Sequence, residues 1–99
     1  MDKAIFNHIQ EIVCKEFCIS PKNIRGDSRY SEYVLARKFI AFFCLQKEIT
    51  TVFVGKHMRK DHASVIYYRN FVEKALSERN TRIVQMYDDL KLKLETHVG

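Results

Sequence analysis

Three groups of side chains in this sequence have types that could do chemistry. His57 and His62 lie five residues apart, and Asp88 and Asp89 sit side by side on a polar helix face. Acid–base work or metal binding would need either pair to meet a nucleophile or a third ligand, and no such partner stands at a recognisable spacing. Cys14 and Cys18 are four apart, which suits two ligands on one helix face, but no second Cys/His pair with zinc-like spacing follows, so they read as core or boundary thiols. The third group is the run Lys56-His57-Met58-Arg59-Lys60-Asp61-His62-Ala63-Ser64, where cationic or ionisable residues lead directly into a helix start. The chemistry of such a run is attraction of a polyanion to a helix N-terminus. No catalytic residue, no metal site and no cofactor is expected.

Asp61 can accept a hydrogen bond from the free amides of the turn that follows it, and from there Val65, Tyr68, Val72 and Leu76 recur at helical spacing. A helix is therefore expected from about Asp61 to Leu76, with His62, Ala63, Ser64 and Tyr67 on its first exposed surface. The segment before it, Ile49 to Val54, favours a strand by propensity, yet it has no partner strand anywhere in the chain. With Thr50 as cap and Val54 four residues from Met58, a short helix Thr51–Met58 is expected. Tyr33 to Lys47 is apolar nearly all round, as a central helix is. Arg37 interrupts it, and periodicity alone leaves two readings open: a snorkelling or ion-paired side chain, or a phosphate contact from the edge of the core.

The remaining elements support these. Ile5, Ile9, Ile12, Val13 and Phe17 form one face of a helix over Ala4–Phe17; Ser20-Pro21 starts a one-turn helix that Gly26 ends; Gly26 to Ser31 is a loop. After a polar break at Ser77–Asn80, Ile83, Met86, Tyr87, Leu90 and Leu94 mark a last helix that fades into Glu95–Gly99. The expectation is all-α: one domain over residues 1–99, five to six helices in a small bundle, and a helix-turn-helix at about 50–76.

The charge is uneven. Residues 20–60 hold nine Lys or Arg against three acids, while the segments on either side are close to balanced, so the net +5 is concentrated there. The longest apolar stretch is broken by Arg37 and Lys38 and falls short of the roughly 20 residues that span a bilayer, so no membrane partner is expected. Three cysteines without paired spacing or a secretory leader point to a reducing compartment, the cytoplasm. Nothing in the sequence sets an oligomeric state.

Val34-Leu35-Ala36-Arg37, then Gly55, then Lys60-Asp61-His62-Ala63-Ser64-Val65-Ile66, resembles the C-terminal DNA-binding domain (domain IV) of the bacterial replication initiator DnaA. That domain typically reads Leu-Ala-Arg-Gln, a glycine in the first short helix, and Arg-Asp-His-Thr-Thr-Val at the start of the recognition helix. The likeness covers about Val13 to Glu73. It implies a bacterial or phage protein acting in DNA replication or transcription regulation, a Trp-repressor-like bundle, and double-stranded DNA as partner. Asp61, His62, Ala63 and Ser64 then fall at the major-groove reading positions, and Arg29 at the place of an arginine that enters the minor groove. Phosphate contacts are expected from Lys22, Arg25, Arg37, Lys56, Arg59, Lys60 and Tyr67. Differences from the family pattern are Arg59 in place of Gly-Gly, Ala63 in place of the first threonine, Lys60 in place of arginine, and Glu32 where the family is often basic. No Gly-x-x-x-x-Gly-Lys-Ser/Thr phosphate loop is present, so a stand-alone domain without nucleotide cofactor or ATPase module is expected, and not an enzyme. The alternative is a helical interaction module that keeps the fold and binds an acidic protein through the same basic face.

Overall fold

The segment that is apolar all round becomes the axis of the molecule. In the computed structural model, which describes residues 1–96, helix α3 (Ser31–Gln46) packs against α1 (Asp2–Phe17) and α5 (His62–Ser77). It also touches α2 (Pro21–Arg25) and α4 (Thr51–Met58), and α6 (Thr81–Thr96) closes the bundle against α1 and α5. A helix with neighbours on several sides can bury residues all around its circumference, and α3 does so with Leu35, Ala36, Phe39, Ile40, Ala41, Phe42, Phe43 and Cys44. Tyr87 of α6 stacks on Phe43 at 5.6 Å, and Phe42 meets both rings edge-on. Aromatic pairs in these geometries add about 0.5–1.5 kcal/mol each beyond their burial.

Side chains expected to cap helices do so. Thr50 Oγ1 accepts the Phe53 amide at 3.1 Å, Asp61 Oδ1 the Ser64 amide at 2.7 Å, and Asn80 Oδ1 the Ile83 amide at 3.1 Å. Ser20 donates its amide to Asn23 Oδ1 at 2.9 Å, which closes the first turn of α2. The helix ends are less economical: Cys18, Arg59 and Arg79 take left-handed backbone conformations with φ of 56–57°, as does Glu48 with φ 64°. An L-residue there costs about 1–2 kcal/mol, which glycine would avoid.

The segment with strand propensity is helical, with Val54, Gly55 and Met58 buried against the bundle, so packing overrides local preference. No strand occurs among the described residues. Boundaries differ from expectation by one or two residues: α1 begins at Asp2, α3 spans Ser31–Gln46, and α5 spans His62–Ser77 with Asp61 as its cap. The last helix takes in Glu95 and Thr96, and the rest of the polar end, residues 97–99, lies outside the described residues. Among the described residues no helix is long and apolar enough to cross a membrane.

Candidate nucleic-acid interface

The turn between α4 and α5 is built by a close backbone approach. A Cβ placed on Gly55 would lie 2.6 Å from the Lys60 carbonyl oxygen, so only glycine fits where the chain folds back. The Lys60 amide donates to Gly55 O at 2.9 Å. Arg59 sits at φ 56°, ψ 46°, the left-handed position that ends α4, so one residue makes the bend where the DnaA pattern has two glycines. Asp61 then caps α5. Its carboxyl is held below the usual carboxylate range, first by the Ser64 amide, then by the Ser64 hydroxyl, with a smaller contribution from His62. Asp61, His62 and Ala63 are exposed, Ser64 is half-buried, and Tyr67 stands one turn on with 59% of its surface exposed. The first-turn amides that Asp61 leaves uncapped, and the positive helix end, thus face solvent together with polar side chains.

A second element flanks this helix start. The loop Gly26–Tyr30 carries Arg29, which is exposed. Arg37, only 2% exposed, holds the loop from beneath: Nε donates to Ile24 O at 3.0 Å, Nη1 to Ser28 O at 2.8 Å, and Nη2 to Asn23 O and Gly26 O at 2.9 and 3.0 Å. A phosphate contact from Arg37 would have to give up these bonds. Lys60 reaches the same loop from the other side, donating to Gly26 O at 2.7 Å and to Arg25 O at 3.4 Å. Burial pushes the Lys60 ammonium below its usual range, Arg37 adds to that, and Asp27 works in the opposite sense. Between loop and helix lies a cleft of about 760 Å³, lined by Asp27, Arg29, Arg37, Lys38, Lys60, Ser64, Tyr67 and Tyr68. A cleft with four cations and two tyrosines focuses positive potential on the start of α5.

The other residues singled out by sequence separate into two sets. Lys56 and Arg59 are exposed on α4 and its end, Lys22 is exposed on α2, and Arg25 beside it is half-buried. None of the four lines the cleft beside the α5 start. His57 turns inward: Nδ1 pairs with Phe53 O at 3.0 Å and the ring stacks on Phe53 at 4.2 Å, so it serves α4 and not His62. Cys14 and Cys44 are buried, and burial pushes their thiols up to about 11 and about 12, away from metal-binding thiolate. Among the described residues no three His, Cys, Asp or Glu side chains gather as a metal site.

Two features went unread in the sequence. Lys38 places its Nζ 3.5 Å from the centre of the Phe71 ring and 5.7 Å from that of Tyr67, and it lines the cleft. Its position beside Arg37, as a second charge in an apolar helix, was the available signal. Glu32 pairs with Arg82 of α6 at 3.4 Å, a contact fifty residues apart in sequence that no local pattern encodes.

The family described as the bacterial DnaA protein helix-turn-helix matches residues 6–72. The chain is 29% identical over 85 residues to chromosomal replication initiator protein DnaA 1 of Chlamydia pneumoniae, covering 85% of this chain and 18% of that protein. It is 38% identical over 61 residues to DnaA 1 of Chlamydia muridarum, covering 61% and 13%. With DnaA of Corynebacterium jeikeium the identity is 27% over 94 residues, covering 91% and 16%. The chain thus spans less than a fifth of the length of each of these relatives. The match includes α2, the Arg37-braced loop, α4 and the start of α5 together, and on that ground the chain belongs to the bacterial DnaA helix-turn-helix family.

Proposed function

We propose that this protein reads double-stranded DNA, with the first turn of α5 in the major groove and Arg29 in the adjacent minor groove. The observation that carries the reading is the exposed, capped start of α5, from Asp61 to Ser64, standing beside a cleft rich in cations. Asp61 spends one carboxylate oxygen on its cap and keeps the other as acceptor, which suits a cytosine amino group. His62 and Ser64 supply further polar groups, and Ala63 offers a methyl to the methyl of a thymine. Lys22, Arg25, Lys56 and Arg59, with the Tyr67 hydroxyl, are read as the phosphate contacts that hold the helix in register. Arg37 leaves that set, because its donors are already engaged with backbone carbonyls.

The role we assign is replication or transcription control at the chromosome, without catalysis and without a nucleotide cofactor. Selection of bound duplexes from a random-sequence pool tests it. One recurring site type is expected, and His62→Ala with Ser64→Ala should blunt the base preference at adjacent positions while general affinity survives. Recovery of no preferred sequence, or a preference indifferent to these changes, contradicts the reading. Loss of an acidic protein partner on Lys60→Ala with His62→Ala, with DNA affinity unchanged, would instead support an interaction module.

A further inference from the structure

We infer that Lys60 is a positioning residue that clasps the Arg29 loop to the start of α5, so that the two DNA-reading elements move as one body. The inference rests on α5 and Arg29 reading the same duplex. Lys60 is tied at both ends. Its backbone is fixed by the α4–α5 turn, where its amide donates to Gly55 O at 2.9 Å and its carbonyl oxygen lies 2.6 Å from where a Gly55 Cβ would stand. Its side chain ends on Gly26 O at 2.7 Å, one bond from the loop that presents Arg29.

The same Gly26 oxygen accepts from Arg37 Nη2 at 3.0 Å. One carbonyl therefore joins α3, through Arg37, to the helix-turn-helix, through Lys60. An ammonium is a compact point donor that can share such an oxygen, whereas the planar fork of an arginine is built for two acceptors side by side. Lysine in place of the family's arginine fits a carbonyl clasp better than a bidentate phosphate contact. Asp27, next to the shared carbonyl and exposed, offsets part of the repulsion between the two cations. Charge-assisted bonds of this kind are short and directional, so they fix a spacing as well as an orientation.

The test uses the whole chain and fluorescein-labelled duplexes recovered by random-pool selection, with Arg29→Ala, Lys60→Met and the double variant beside the unaltered protein. Arg29→Ala is expected to weaken binding about tenfold in the unaltered chain and by clearly less once Lys60→Met has untied the loop from α5. Losses that simply multiply, or a further fall of about 1 in the salt slope when Lys60→Met is added to Arg29→Ala, make Lys60 a phosphate contact and overturn the clasp. Backbone amide relaxation of DNA-free Lys60→Met gives a readout that does not depend on binding. Order parameters at Asp27–Tyr30 are expected to fall below those of the unaltered chain, least at Ser28, which Arg37 still holds, while α3 and α5 stay near about 0.85. A loop as ordered as in the unaltered chain overturns the inference. Failure of the unaltered chain to bind any duplex defeats the DNA reading, and the loop measurement then still decides whether the clasp exists.

Discussion

Replacing Gly55 by alanine isolates the contact that shapes the α4–α5 turn. The new Cβ would lie 2.6 Å from the Lys60 carbonyl oxygen, whereas ordinary contact begins at 3.4 Å, so backbone must move by 0.8 Å against backbone. Overpacking of this kind costs about 1–3 kcal/mol. Opening the turn also lengthens the bond from the Lys60 amide to Gly55 O, now 2.9 Å, which is worth about 1 kcal/mol. Alanine returns about 1 kcal/mol through helix propensity, because Gly55 lies inside α4. The net loss is about 1–3 kcal/mol, and for a domain of this size each kcal/mol lowers the thermal midpoint by about 4–8 °C. Circular dichroism melts of the two chains measure it. Gly26→Ala is the comparison, since its Cβ would meet the Lys22 carbonyl at an ordinary 3.4 Å and should shift stability by less than about 0.5 kcal/mol. A Gly55→Ala chain that melts at or above the unaltered protein refutes the reasoning, because propensity would then outweigh the close approach.

Other outcomes follow from the same geometry. Arg59→Gly removes a left-handed L-residue at φ 56°, a relief of about 1–2 kcal/mol offset by about 0.5–1 kcal/mol of unfolded-chain freedom, so urea unfolding should show a gain of up to about 1.5 kcal/mol. The same variant should lower the salt slope of DNA binding by about 1; a chain that is less stable, or a slope unchanged, contradicts the two roles given to Arg59. Arg37→Met strips the Arg37 donors from the Asn23, Ile24 and Ser28 carbonyls and leaves Gly26 O to Lys60, which at about 1–3 kcal/mol for each orphaned acceptor should cost about 3–5 kcal/mol in urea unfolding; a cost under about 1 kcal/mol means the loop does not need this brace. Asp61 has a depressed carboxyl, so its capping contribution is full above the ordinary value of 3.8 and disappears as pH falls through its lower folded-state value. Asp61→Asn keeps the acceptor and removes the titration, so the thermal midpoints of the two chains should shift in favour of the Asn variant below pH 3.8, and a difference constant with pH contradicts the cap.

Much of the fold was legible because its signals are local. Asp61, Thr50 and Asn80 cap through bonds three residues long, and the stripes of α1, α5 and α6 are periodic. The short helix Thr51–Met58 was legible only against its propensity, through its cap and the absence of a strand to pair with. The character of Arg37 was not legible. Its charge and position suit a phosphate contact, and only the return of residues 23–28 over α3 turns its donors onto carbonyls thirteen, fourteen, eleven and nine residues away. The Lys60 clasp spans thirty-four residues and the Glu32–Arg82 pair fifty, distances at which spacing carries no information. The start of α5 is the opposite case. The positions we propose for base reading are contiguous in sequence, and the structure leaves Asp61, His62 and Ala63 exposed.

The central claim is that this exposed helix start, with the cations around it, grips duplex DNA. Fluorescence polarisation of a labelled duplex, titrated with the whole chain at several salt concentrations, tests it most directly. The four cations proposed as phosphate contacts predict saturable binding whose log affinity falls with log salt at a slope of about −3 to −4. Binding absent at low salt, or an affinity indifferent to salt, would contradict the account.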